Sequence, residues 1–158
     1  MQIDETSPPA NSLIHQYSLA EGHYTDAFQA DAPPGVGLPE LIEAFYTTAV
    51  FKAERFVLAL GGAKSSDQDA RELAKGLRER FAVWTVEDRR DDEILLDAGR
   101  TKSWLMVRDG QLWFGSIIVP VTRRGKLTLG PVFHSLVGAH KVYSRVLLGA
   151  AARRLHQG

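Results

Sequence analysis

Residues 81–121, FAVWTVEDRRDDEILLDAGRTKSWLMVRDGQLWFGSIIVPV, decide the fold. Apolar residues recur here at a period of two, and the stretch is rich in Val, Ile, Trp and Phe, the side chains that suit a pleated surface. Four strands are predicted: Phe81–Glu87, Glu93–Ala98, Thr101–Arg108 and Gln111–Val121. Asp109-Gly110 between apolar runs is a two-residue hairpin signal, and the charged block Asp88–Asp92 and the Gly99-Arg100 corner mark two further turns. Consecutive hairpins make an antiparallel meander. Pro120 places the end of the last strand at an edge or a bend, and Arg123-Arg124-Gly125-Lys126 reads as a loop.

Downstream the period changes to that of a helix. From Pro131 to the end of the sequence, Phe133, Leu136, Val137, His140, Tyr143, Leu147, Ala151 and Leu155 fall on one stripe, with Lys141, Arg145, Arg153 and Arg154 mostly off it. Upstream, His23–Ala30 alternates as a short edge strand would, with Tyr24, Asp26 and Phe28 on one side. Pro39 opens a helix that carries Leu38, Leu41, Ile42, Phe45, Ala49, Ala53, Phe56 and Leu60 to Gly61-Gly62. Val50, Phe51, Val57 and Leu58 add apolar surface outside that stripe, so the helix is either broken midway or covered on two faces. Ser65 and Gln68 have capping-box spacing for a second helix, with Ala70, Leu73, Ala74 and Leu77 inward, running to about Arg80. Residues 1–22 show no sustained period and read as a partly mobile extension of a single domain over 23–158. A sheet with one apolar face must be covered, and the terminal helix is the longest cover available. The fold class expected is therefore α+β, an antiparallel sheet against a long C-terminal helix, with two helices inserted after the first strand.

Composition narrows the function. Seven Phe, four Tyr and three Trp in 158 residues supply a core, which excludes wholesale disorder. The absence of cysteine removes disulfides, thiolate metal sites and a thiol nucleophile, and fits a reducing cytoplasm. Met1–Ala10 is acidic and contains Pro, without the features of a secretory signal, and no stretch has the apolar length of a membrane span. Charge is sorted along the chain: residues 1–51 hold seven acids and no Lys or Arg, whereas residues 100–158 hold ten bases and one acid. Either the two ends meet and neutralise each other, or the basic end faces an anionic ligand. The zero net charge argues for the former and against nucleic acid as a partner.

The opening HYTDAF (23–28), the helical AFYTTAVFKAERFV (44–57), the hairpin VEDRRDDEILLDAG (86–99) and the closing VFHSLVGAHKVYSRVLLGAAARRL (132–155) together resemble the START and polyketide-cyclase-like (SRPBCC) helix-grip superfamily. More narrowly, they resemble a bacterial domain family of unknown function placed near it. The likeness covers about residues 23–158. It implies a sheet curved round the C-terminal helix, with a cavity that in the superfamily receives lipids, polyketides or other apolar molecules. It implies no particular chemistry and no cofactor.

Motifs for catalysis are sparse. Gly61-Gly62-Ala63-Lys64-Ser65 lacks the glycines and the preceding strand of a phosphate loop. His134 and His140 are about 240° apart round a helix, so a metal site is not expected. His140 and Tyr143 put polar groups on the stripe expected to face the sheet, where they would orient a ligand, or His140 would serve as acid or base. Trp84, Trp104 and Trp113, with Phe114, offer an aromatic wall for a flat apolar ligand. The commoner role of all these residues is core packing. Glu93 and Asp97 share a strand face and form an acid–base pair if that face is the concave one, while Arg108 ends a strand where it could meet an anionic ligand. Three readings follow: a small-molecule binding protein using Trp84, Trp104, Trp113, Phe114, His140, Tyr143 and Arg108; a cyclase, dehydratase or hydrolase using His140 or Glu93/Asp97; and a homodimeric interaction module docking through Val50, Phe51 and Val57.

Overall fold

A computed structural model describes residues 2–158, with the side chain of Val57 outside the description. The chain runs β1 (Asp4–Glu5), α1 (His15–Ser18), β2 (Tyr24–Asp31), α2 (Leu38–Tyr46), α3 (Ala49–Leu60), α4 (Asp67–Ala74), β3 (Arg80–Phe81), β4 (Trp84–Arg89), β5 (Glu93–Asp97), β6 (Thr101–Arg108) and β7 (Gln111–Ile118). It ends with β8 (Val121–Arg123), β9 (Lys126–Thr128) and α5 (Pro131–Gln157). Seven strands form one antiparallel sheet in the order β1-β2-β7-β6-β5-β4-β3. The fold is α+β, and β5, β6 and β7 form the antiparallel meander expected from the sequence, whereas the strand expected over Phe81–Glu87 is a hairpin of β3 and β4 that turns at Ala82-Val83, with Ala82 at φ 52°. The Asp109-Gly110 turn has positive φ at both residues, 53° and 71°, as a type I′ hairpin requires.

The first strand is not an edge. β2 lies between β7 and the two-residue β1, pairing Phe28 with Phe114 and Asp26 with Ser116. This register places Tyr24, Asp26 and Phe28 on the same face as Phe114 and Ser116, and that face is covered by helices. α5 crosses β2 and β7, and α2 covers β6 and packs against α5 and α4. The cover is therefore shared. Leu38, Leu41, Ile42, Ala44, Phe45 and Tyr46 of α2 are all buried, whereas α5 buries its second half, Ser144 to Ala152, and leaves Val132, Leu136 and Val142 exposed.

The long helix expected over 39–60 is two helices. Thr47 donates its hydroxyl to Glu43 O (2.6 Å), and Thr48 caps α3 by accepting the Phe51 N–H (3.1 Å). The break absorbs the phase slip between Phe45 and Phe51, so both rings enter one aromatic cluster with Tyr46, Phe81 and Trp84. Phe51 is consequently buried and offers nothing to a second copy, and Val50 is half-buried against the same core. α4 is capped one residue later than the spacing suggested: Ser66 and Asp69 exchange hydrogen bonds of 2.7 and 3.1 Å. It also ends sooner, at Ala74, before Gly76 at φ +72°. Arg89 then donates to the Leu73 and Ala74 carbonyls (2.6 Å each), placing a cation at the negative end of α4. Beyond β7, Pro120 separates a small ribbon in which β8 pairs with β9 through Arg124-Gly125, where a loop was expected.

Residues 2–22, read as an extension, are packed. Leu13 and Ile14 are buried against Ala27, Leu95, Trp104, Met106, Trp113 and Ile117 on the face of the sheet opposite the helices. Gly115 makes room for this segment. The sheet thus carries a core on each side. The oppositely charged ends do meet: Glu5 binds Lys141 (2.5 Å) and Arg145 (3.0 Å) of α5. Among the described residues no helix is long and apolar enough to cross a membrane.

Candidate functional site

Where α5 leaves the sheet, a cavity of about 210 Å³ remains between helix and strands. α2 and α3 contribute Phe45, Phe51 and Glu54, and the sheet contributes Trp84, Thr101, Lys102, Ser103, Phe114, Ser116 and Ile118. α5 closes it with His140, Tyr143, Ser144 and Leu147. A wider, more open hollow of about 410 Å³ under the first turns of α5 shares Ile118, His140 and Tyr143 with it. His140 and Tyr143 therefore line both the aromatic hollow and the more open one beside it.

The polar groups come from several elements. Asp26, with a side chain only 1% exposed, accepts the Ser116 N–H (3.1 Å) at one oxygen and the Tyr24 hydroxyl (2.9 Å) at the other. His140 Nε2 lies 3.3 Å from Asp26 Oδ2, off the line of a hydrogen bond but close enough for an ion pair when protonated. Tyr143 donates its hydroxyl to Glu54 of α3. Burial pushes the Glu54 carboxyl above the ordinary carboxylate range, while the Tyr143 hydrogen bond and the nearby His140 imidazole pull it down. Burial, reinforced by Glu54, raises the Tyr143 phenol; burial, reinforced by Asp26, raises that of Tyr24, so both remain donors at neutral pH. Ser144 is fully buried, and its Oγ has no hydrogen-bond partner among the described residues. Chemically, the site can bury an apolar body and hold one polar group against Glu54, His140 or Ser144.

Trp84, Phe114, His140 and Tyr143 come together in this cavity, as the sequence suggested. Trp104, Trp113, Arg108, Glu93 and Asp97 do not. Successive residues of a strand point to opposite faces, so Trp113 and Phe114 cannot both face the helix. Trp104 and Trp113 pack on each other in the outer core, ring centroids 6.2 Å apart. Glu93 and Asp97 do share a face, but it is the outer one, and they lie about 13 Å apart along the strand with separate partners. Glu93 is sealed by the Leu13 N–H (2.7 Å), Trp104 Nε1 (2.8 Å) and Arg90 (2.8 Å). Asp97 binds Lys102 (2.8 Å) and the Gly99 N–H (3.0 Å). Arg108 ties Asp92 (2.6 Å) to Asn11 (2.8 Å) and clasps the N-terminal segment rather than a ligand. An enzyme in which His140 and Glu93/Asp97 converge in one cleft is excluded by this placement.

Two functional candidates escaped the sequence. Asp26 was legible as an acid in phase with Tyr24 and Phe28, but only the register with β7 shows that this phase faces the cavity. Glu54 had no signal, because the break at Thr47-Thr48 resets the helical phase. Among the described residues no three His, Asp or Glu side chains gather to hold a metal ion. No protein family, curated protein or solved structure matches the chain. Fold and site define an α+β protein with a seven-stranded antiparallel sheet and an aromatic hollow beneath its C-terminal helix.

Proposed function

We propose that this chain binds a small, largely apolar molecule about the size of one substituted aromatic ring in the cavity between sheet and α5. The observation that supports the reading is a hollow of about 210 Å³ walled by Phe45, Phe51, Trp84, Phe114 and Leu147, with polar residues from α3, the sheet and α5 along it. An apolar cavity of about 150 Å³ takes up benzene, which sets the scale of the guest. Larger lipid- or polyketide-like molecules would have to occupy the outer hollow as well, past His140 and Tyr143. The resemblance to the helix-grip superfamily agrees with this reading, since the same arrangement of an antiparallel sheet and a long C-terminal helix places such a cavity in that superfamily. Binding is then burial of the ring plus one or two oriented hydrogen bonds.

Toluene tests the reading without requiring the natural ligand. At ten times its Kd it should raise Tm by about 3–5 °C, the linkage expected of a ligand that binds only the folded chain. Ser144→Leu, which puts an apolar side chain into the hollow, should abolish the shift while leaving the circular dichroism spectrum unchanged. No shift with the unmodified chain, or an equal shift with Ser144→Leu, sinks the proposal.

A further inference from the structure

The walls of the cavity are aromatic, and the charged residues that line it besides His140 are Glu54 and Lys102. Glu54 lines it, Asp26 lies directly behind His140, and among the described residues neither carboxyl pairs with a lysine or arginine. The cations nearby are committed elsewhere. Lys102 lines the cavity, but its ammonium group is paired with Glu87 and Asp97. Arg145 lies over the Phe28 ring and pairs with Glu5, and Arg55 pairs with Asp67. His140 alone stands between the two carboxyls, so even a protonated imidazole leaves one negative charge uncompensated. A buried carboxylate without a cation is costly, and the raised proton affinity of Glu54 reflects that cost. Independently, Ser144 Oγ, like His140 Nε2, is buried at the cavity wall with no hydrogen-bond partner among the described residues.

Resting on the reading of the cavity as a ligand site, we infer that its occupant is a protonated primary amine carried on a single ring, the ammonium group held by Glu54 and Ser144. An ammonium group brings one positive charge and three N–H donors, which answers both the unpaired carboxylate and the orphan hydroxyl. The rings of Phe45, Phe51, Trp84 and Phe114 present the π faces to which an organic cation is drawn when water is excluded. Tyr143 remains a donor to Glu54 and fixes the carboxylate for the incoming group.

Titration calorimetry with toluene, benzyl alcohol and benzylamine separates this inference from the reading on which it rests. Benzylamine should bind at least about tenfold more tightly than its neutral isostere benzyl alcohol, the margin of a charge-assisted hydrogen bond. Glu54→Gln keeps an acceptor for Tyr143 and should remove that margin while leaving toluene binding intact. Toluene binding with no preference for the amine overturns the charge inference and leaves the cavity standing. A preference that survives Glu54→Gln also overturns it, since the carboxylate is then not the partner. Failure of all three compounds to bind overturns the cavity reading, and the inference falls with it.

Discussion

Glu93→Ala is expected to lower the unfolding free energy by about 3–5 kcal/mol, the loss typical of removing one partner from a buried charged network. Glu93 is 0% exposed and its carboxylate joins three parts of the chain: the Leu13 N–H, the Trp104 indole and Arg90. Truncation leaves two buried donors unpaired, each costing about 1–3 kcal/mol, and frees the guanidinium besides. The Arg90 pair contributes less, because that arginine is half exposed. Glu93→Gln keeps an oxygen for the two neutral donors and should lose markedly less. Urea denaturation of the three proteins gives the comparison. Hydrogen exchange should show the Leu13 amide losing protection first, since Glu93 is what fastens it to the sheet. A loss below about 1 kcal/mol for Glu93→Ala would mean that water replaces the carboxylate at no cost and that the N-terminal segment is not pinned there.

Gly115→Ala should cost about 3 kcal/mol, at the upper end of the penalty for overpacking a core. Its backbone needs no special conformation; what it needs is room. A Cβ there would stand 2.6 Å from Ile14 Cδ1, 2.8 Å from the Asp26 carbonyl oxygen and 2.9 Å from Trp104 Cε3. The isoleucine tip can move aside. The carbonyl belongs to the neighbouring strand and cannot, unless the pairing of β2 with β7 opens. Ile14→Ala should therefore rescue only part of the loss in the double variant, and the remainder measures the strand contact. Because the same Asp26 carries the carboxylate beside His140, the substitution should also disturb the cavity from the far side of the sheet. Chemical denaturation that places Gly115→Ala within about 0.5 kcal/mol of the parent would contradict the packing of residue 14 on this face.

The meander, its Asp109-Gly110 turn and the terminal helix were legible because each rests on local signals: period, propensity and turn chemistry. Which strand face lines the cavity was not legible. Ile94, Leu95 and Leu96 are consecutive and all buried, as are Leu112 to Ile117, because helices cover one side of the sheet and residues 13–17 cover the other. With both faces apolar, the alternation that distinguishes inside from outside disappears. The sequence therefore leaves open on which face Trp104 and Trp113 lie, and both pack in the outer core. The N-terminal segment was unreadable for a different reason: its apolar contacts with the outer core come from Leu13, Ile14 and Tyr17, too few residues to set a period. The division of α2 from α3 turns on two threonines whose hydroxyls cap helix ends, a signal that a strong apolar run on either side conceals.

The hollow beneath α5 is tested most directly by a crystal structure of the protein under xenon pressure, because xenon enters dry apolar cavities without needing a polar partner. A xenon atom should be found among Phe45, Phe114, Tyr143 and Leu147, with the surrounding side chains unmoved. Density showing those four side chains in mutual contact, with no xenon between α5 and the sheet, would contradict the existence of the chamber.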